Sequence, residues 1–144
     1  MLRPRRRGAE ASADVHVQVA PRLSVSEGHM ISQAVEDRMI EQVDSITDVT
    51  VHIDPEDDED APTCAGLPLR AEALEALDDA WTEAGAPLAP HETRLHYLSG
   101  KIDVELILPL SHFVDRRATD QLRAHLEAVA RGLPWFGGLR LLYE

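Results

Sequence analysis

His16, His29, His52 and Asp54 are the side chains of this chain whose types and spacing point most directly to chemistry. Imidazole nitrogen and carboxylate oxygen are the ligands that Zn²⁺ takes at about 2.0–2.2 Å, usually four in a tetrahedron. Three of these residues lie in alternating stretches. In DVHVQV, Val15, Val17 and Val19 point one way while His16 and Gln18 point the other. In VTVHID, Val49, Val51 and Ile53 face inward and Thr50, His52 and Asp54 outward. A period of two is the pattern of a half-buried strand. His52 and Asp54, two apart on one strand, sit ~7 Å apart at the backbone, a span one metal ion bridges. The plainer alternative is a solvated sheet face.

The elements that must position these groups form a strand, a helix and a strand over Asp14 to Pro55. Between the strands, Met30, Ile31, Ala34, Val35, Met39 and Val43 recur at helical spacing as one apolar stripe. Ser24 and Glu27 make an S-x-x-E capping box at its start, which puts His29 in the first turns. One helix covers one face of the sheet, so the valines lie under it and His16, His52 and Asp54 stay on the uncovered face. Upstream, LRPRRR forms a hairpin with the first valine strand, with Gly8 to Ala13 read as the turn.

After Pro55 the composition changes. EDDEDAPTCAGLP is acidic, carries proline and lacks bulky apolar residues, as an exposed linker does. The expected organisation is a first unit over residues 1–55, a linker over 56–68 and a second unit over 69–144. The second unit opens with a helix on Leu74, Leu77, Trp81 and Ala84, stopped by Gly85 and Pro87. A hairpin follows, Arg94 to Leu98 and Lys101 to Leu108 around Ser99-Gly100. Ala118, Leu122, Leu126, Val129 and Leu133 make another helix, broken by Pro134, Gly137 and Gly138. Leu139, Leu141 and Tyr143 end in a short strand. The order of elements repeats, and DVHVQV matches DVELIL with Asp14 answering Asp103. The fold class is α+β, in two tandem degenerate copies of a ferredoxin-like βαβ-type unit, each a small mixed sheet with helices on one face. The positions matching His16, His29 and His52 fall near Glu105, Ala118 and Leu142, so the second copy has lost the site. His91 and His96 flank the start of the second hairpin, and His96 reads as a surface strand residue; His112 precedes the last helix, and His125 sits partly buried beside its stripe.

Composition excludes several classes. The net charge of −12 over 144 residues repels nucleic-acid phosphates. Arg3, Arg5, Arg6 and Arg7 run against that balance, as a basic strand, a lipid-headgroup contact or a partner for the acidic run Asp54 to Asp60. That run lacks the spacing of an EF-hand. No apolar stretch approaches the ~20 residues of a membrane span, and no apolar h-region follows Met1 as in a secretory signal. The single cysteine, Cys64, fits a reducing cytosol. With no Gly-rich phosphate loop, G-x-S-x-G or H-E-x-x-H, the chain does not read as an enzyme.

EGHMISQAVED opening the helix, the closing VTVHIDP, the His-bearing strand and the preceding LRPRRRG together resemble the cytoplasmic C-terminal domain of the cation diffusion facilitator family, efflux transporters of zinc, iron, cobalt, cadmium or manganese. The resemblance covers Leu2 to Pro55. It implies a regulatory, dimerising domain on the cytosolic side of a transporter, a homodimer attached to a transmembrane domain. It also implies that the residues at the matching positions, His16, His29, His52 and Asp54, bind a divalent metal ion. Imidazole-rich sites suit zinc best, and the sequence does not choose among Zn, Fe, Co, Cd and Mn. The family's domain opens with a helix that the first unit lacks. Met1 falls where the first strand should begin, as in a truncated chain or one whose start is set too far downstream. Two other classes remain open: a ferredoxin-like interaction module with no metal role and, more remotely, a small-ligand sensor of the ACT type.

Overall fold

The computed structural model describes residues 2–7, 10–57 and 61–144, with side chains from residue 11 onward. The basic side chains of Arg3, Arg5, Arg6 and Arg7 and the acidic residues 58–60 lie outside that description. The fold is α+β. Among the described residues, two three-stranded sheets and three α-helices form two compact units, Met1–Ala61 and Pro62–Glu144.

In the first unit β1 (Leu2–Arg7) runs antiparallel to β2 (Glu10–Gln18), and β2 runs parallel to β3 (Ile46–Asp54). The crossover is α1 (Val25–Gln42). Ala11 to Ala13, expected in a turn, are strand residues that pair with Arg6, Arg5 and Pro4. The valine alternation simply begins earlier, with alanines: Ala13 is buried, and Val15 and Val17 follow on the same face. The capping box of α1 forms as its sequence dictates. Ser24 Oγ accepts the Glu27 N–H at 3.2 Å, and the Glu27 carboxylate accepts the Ser24 N–H at 3.0 Å. The apolar stripe is narrower than six residues. Ile31, Val35 and Met39 are half-buried, whereas Met30 is 61% exposed and Ala34 and Val43 lie open. The one fully buried residue of α1 is Gly28, packed on Ile53.

In the second unit β4 (Glu92–Leu98) is antiparallel to β5 (Lys101–Leu108), and β5 is parallel to β6 (Phe136–Tyr143). Ser99 and Gly100 both have positive φ, the backbone a two-residue hairpin turn needs. Two helices, α2 (Arg70–Glu83) and α3 (Arg116–Ala130), bury one face of this sheet. Its core joins Ala73, Leu77 and Trp81 of α2 with Ile102, Val104, Leu106 and Leu108 of β5, Leu126 and Ala130 of α3, and Phe136. Gly137 and Gly138, read as helix breakers, lie inside β6. Gly137 is the extra residue where the register shifts between Ile102 and Asp103. A β-carbon there would come 2.5 Å from Asp103 Oδ1, so glycine answers a close approach.

The two sheets share more than strand order. The first also shifts register at its entry, between Ala11 and Ser12, leaving Thr47 where Gly137 stands. Ala11 N–H donates to Ser45 O at 2.8 Å, and Ile102 N–H to Trp135 O at 2.8 Å. Val19 N–H donates to Asp54 O, and Leu110 N–H to Glu144 O. Ser24 caps α1, and Asp115 caps α3 by accepting the Ala118 N–H at 2.8 Å. Gly28 meets Ile53, and the Tyr143 hydroxyl meets Thr119. These bonds pair Asp14 with Glu105 and His16 with Ile107. The match of DVHVQV to DVELIL is therefore displaced by two residues, which alternation alone cannot detect because a shift of two preserves the faces.

Candidate metal centre

Parallel register brings His16 beside His52 and Gln18 beside Asp54 at the carboxyl ends of β2 and β3. The two imidazoles stack with centroids 4.6 Å apart and planes 15° from parallel. Asp54 reaches diagonally across the strand pair, and its Oδ2 lies 2.8 Å from His16 Nδ1. Both imidazoles are exposed; the Asp54 side chain, at 18%, is largely sheltered. A carboxylate that accepts the Nδ1 proton fixes the tautomer and leaves the Nε2 lone pair of His16 directed outward, the arrangement that orients metal-binding histidines elsewhere.

His29 stands apart from this cluster. It borders an open apolar pocket of about 360 Å³ with Leu23, Val25, Gly28, Ile53 and Pro55, on the side of the sheet that α1 covers. His16, His52 and Asp54 are thus brought together and His29 is not. Among the described residues, no group of three or more His, Cys, Asp or Glu side chains is arranged to hold a metal ion. The reason lies in ring orientation. Nitrogen lone pairs lie in the ring plane, and two stacked rings aim theirs side by side rather than at one point. The donor chemistry suits a divalent cation; enclosing one needs a turn of the His52 ring and further ligands.

The matching face of the second unit is unlike it. Ile107 is buried where His16 is exposed, and Leu142 stands where His52 does. Glu105, 5% exposed, has Arg140 Nη1 at 3.3 Å and His96 Nε2 at 3.5 Å from its two oxygens. His96, expected on the surface, is half-buried, and its Nε2 is buried without a hydrogen bond. Its cross-strand neighbour is Asp103, and the Glu105 carboxylate lies 3.5 Å from its Nε2. His125 is the reverse case, exposed rather than partly buried, because the buried line of α3 runs through Leu126 and Ala130. Nothing in the alternation around His96 foretold its burial.

Residues 1–56 match the cytoplasmic domain of cation efflux proteins. No curated protein and no solved structure matches the chain significantly. The cation efflux match contains β1, β2, α1 and β3 with all four candidate ligands, and it ends within the acidic run, at residue 56. The domain so matched is a part of transport proteins rather than of enzymes. Among the described residues, no helix is long and apolar enough to cross a membrane.

Proposed function

We propose that the first unit is a metal-sensing, dimerising domain that regulates a divalent-cation efflux transporter from the cytosolic face of its membrane, with zinc as the first candidate cargo. The carrying observation is the His16–His52 pair in register, with His16 held by Asp54, inside the segment that matches the cation efflux domain. His16 and His52 would be ligands and Asp54 a ligand or the residue that orients His16. His29 would serve only a separate site. Two protomers facing each other supply the ligands one chain lacks, and metal would favour the closed dimer by binding it better than the open one. The partners are then a second copy and the transmembrane domain of a transporter. The second unit is a degenerate copy of the same ferredoxin-like βαβ unit that has kept the fold and lost the histidines. This reading is supported by the shared register shift, caps and strand-end hydrogen bonds.

The stacked rings favour a second reading, an interaction module without metal, in which the His16–His52 pair is a packing feature. Thermal unfolding with one to four equivalents of Zn²⁺, read beside mass from analytical ultracentrifugation, separates the two. A ligand at 100 times its dissociation constant that binds only the folded state adds about 2.7 kcal/mol. Stabilisation that chelator reverses and that His16→Ala and His52→Ala each abolish supports the sensor. Asp54→Asn should weaken zinc roughly 10–100-fold if Asp54 orients His16. Unchanged unfolding and unchanged mass in zinc would leave the interaction module.

A further inference from the structure

We propose that residues 110–117 of the second unit, LSHFVDRR, form a loop that inserts its apolar tip into an anionic lipid surface. All eight residues are exposed, between the end of β5 and the first turn of α3. Three of them are large and apolar: Leu110 is 64% exposed, Phe113 47% and Val114 76%. Single apolar residues scattered over a surface are ordinary, whereas several gathered on one loop form a patch. The fold itself does not require them. The strand-end bonds of Val19 and Leu110 and the caps Ser24 and Asp115 align the two units here. Arg22 of the first unit then stands where Phe113 does, and the half-buried Leu23 where Val114 does. The loop is also preformed. Leu110 N–H donates to Glu144 O at 2.7 Å and Phe113 N–H to Leu110 O at 2.9 Å. The Phe113 ring meets Tyr143 edge-on, with centroids 5.4 Å apart. A tip fixed in advance loses little conformational freedom on binding.

Shape and charge favour lipid over protein. A protein partner must enclose such side chains in a complementary pocket, whereas a bilayer accepts a protruding apolar tip without one. Arg116 and Arg117 follow directly behind the tip, and both are exposed. With Leu110, Phe113 and Val114 in the acyl boundary, the two guanidinium groups reach headgroup level and pair with lipid phosphate. Asp115, between them and the tip, is turned to the helix, where it accepts the Ala118 N–H at 2.8 Å. The Glu144 carboxylate lies 3.7 Å from His91 Nδ1. The net charge of −12 opposes any general attraction to an anionic surface. At physiological ionic strength, however, charges act over only about 8 Å, so the arginines at the tip outweigh acidic residues further off. Insertion and cationic pairing are each weak alone, and stable anchoring takes two such signals. Neither His16 nor His52 takes part, so the inference is independent of the metal reading.

The test is co-sedimentation of the whole chain, without added metal, with vesicles of phosphatidylcholine and phosphatidylglycerol, and with vesicles of phosphatidylcholine alone. Expected is saturable binding to the mixed vesicles that weakens with salt and nearly vanishes on phosphatidylcholine. Phe113→Ser combined with Val114→Ser should remove it. Arg116→Gln and Arg117→Gln should each weaken it roughly fivefold. These side chains are exposed, so the variants should keep the circular dichroism and unfolding midpoint of the unaltered chain. Should the double variant lose its fold, Val114→Ser alone, at the most exposed of the three apolar positions, still has to weaken binding. Absence of binding to the mixed vesicles overturns the proposal. So does binding indifferent to the substitutions at Phe113 and Val114, which would assign it to the basic strand over residues 3–7. Self-association without lipid that Val114→Ser abolishes would overturn it too, by giving the loop to a second copy.

Discussion

Ile102, Val104, Leu106 and Leu108 line the inward face of β5, whereas Ala11, Ala13, Val15 and Val17 line the same positions of β2. Every residue of the second series is smaller than its counterpart. The second unit places two helices on its sheet and builds a core of ten buried residues; among the described side chains of the first, Ala13 and Val49 are the buried hydrophobics. Burial is worth about 25 cal/mol per Å² of apolar surface removed from water. The second unit can therefore hold itself together while the first draws little from its interior. The outward faces differ in the opposite sense. The first presents His16, His52 and Asp54 to solvent, whereas the second closes Glu105, Ile107 and His96 away. One unit is built on packing and the other leaves its polar face accessible.

The largest test of this contrast is a pair of truncations at matched positions. Leu126→Ala removes a fully buried side chain from under α2 and should destabilise the second unit by roughly 2–5 kcal/mol. Val35→Ala, its counterpart in α1, loses a half-buried group and should cost about 1 kcal/mol. Urea unfolding followed by hydrogen exchange resolves the two units separately. Equal costs would mean that the first unit has a core as demanding as the second.

A smaller effect is expected at the register shift. Gly137→Ala drives a β-carbon to 2.5 Å from Asp103 Oδ1 and 3.2 Å from Lys101 Cβ, and should cost about 1–3 kcal/mol as overpacking. The first unit holds Thr47 at that place with Ser12 opposite instead of Asp103. Combining Gly137→Ala with Asp103→Ser should therefore recover much of the loss. Additive costs in the double variant would show that the two shifts are not the same feature.

Much of this organisation is legible in the residues themselves. The alternation of DVHVQV and VTVHID fixes which side chains share a face, and Ser24 with Glu27 marks the start of α1. Ser99-Gly100 marks the hairpin because its two positions must both adopt positive φ. Three features are not legible, for distinct physical reasons. Alternation is blind to a displacement of two residues, so the correspondence between the units had to come from hydrogen bonds such as those of Ala11 and Ile102. Gly137 looks like a helix breaker because a strand glycine that answers a close contact has the same letter as one that ends a helix. Whether an outward residue is wet depends on its neighbours across the sheet, which is why His52 is exposed and His96 is not. The candidate site divides along the same line. Strand periodicity places His16, His52 and Asp54 together, while His29, assigned through resemblance and a helix position, lies on the other side of the sheet.

The smallest expected effect separates the two helix starts. α3 is capped by a carboxylate, Asp115, accepting one backbone N–H. In α1 two side chains share the capping. Ser24 Oγ accepts the Glu27 N–H, and the Glu27 carboxylate accepts the Ser24 N–H at 3.0 Å and its hydroxyl at 2.8 Å. The backbone N–H of Ser24 first, and its hydroxyl second, hold the Glu27 carboxyl below the ordinary glutamate range. A carboxyl whose pKa is lower in the folded chain contributes stability above its unfolded value, and that contribution disappears as the pH falls through the folded value. The start of α1 should thus loosen in acid before its packing is lost. Ser24→Ala should cost about 1 kcal/mol near neutral pH, and the difference from the unaltered chain should shrink as Glu27 takes up its proton. Following the Glu27 side-chain carbon by NMR across the acid range should give a midpoint below that of an ordinary glutamate, which Ser24→Ala returns upward. The variant keeps the backbone N–H, so a midpoint unmoved by Ser24→Ala would mean that the hydroxyl bond to Glu27 does not persist in solution.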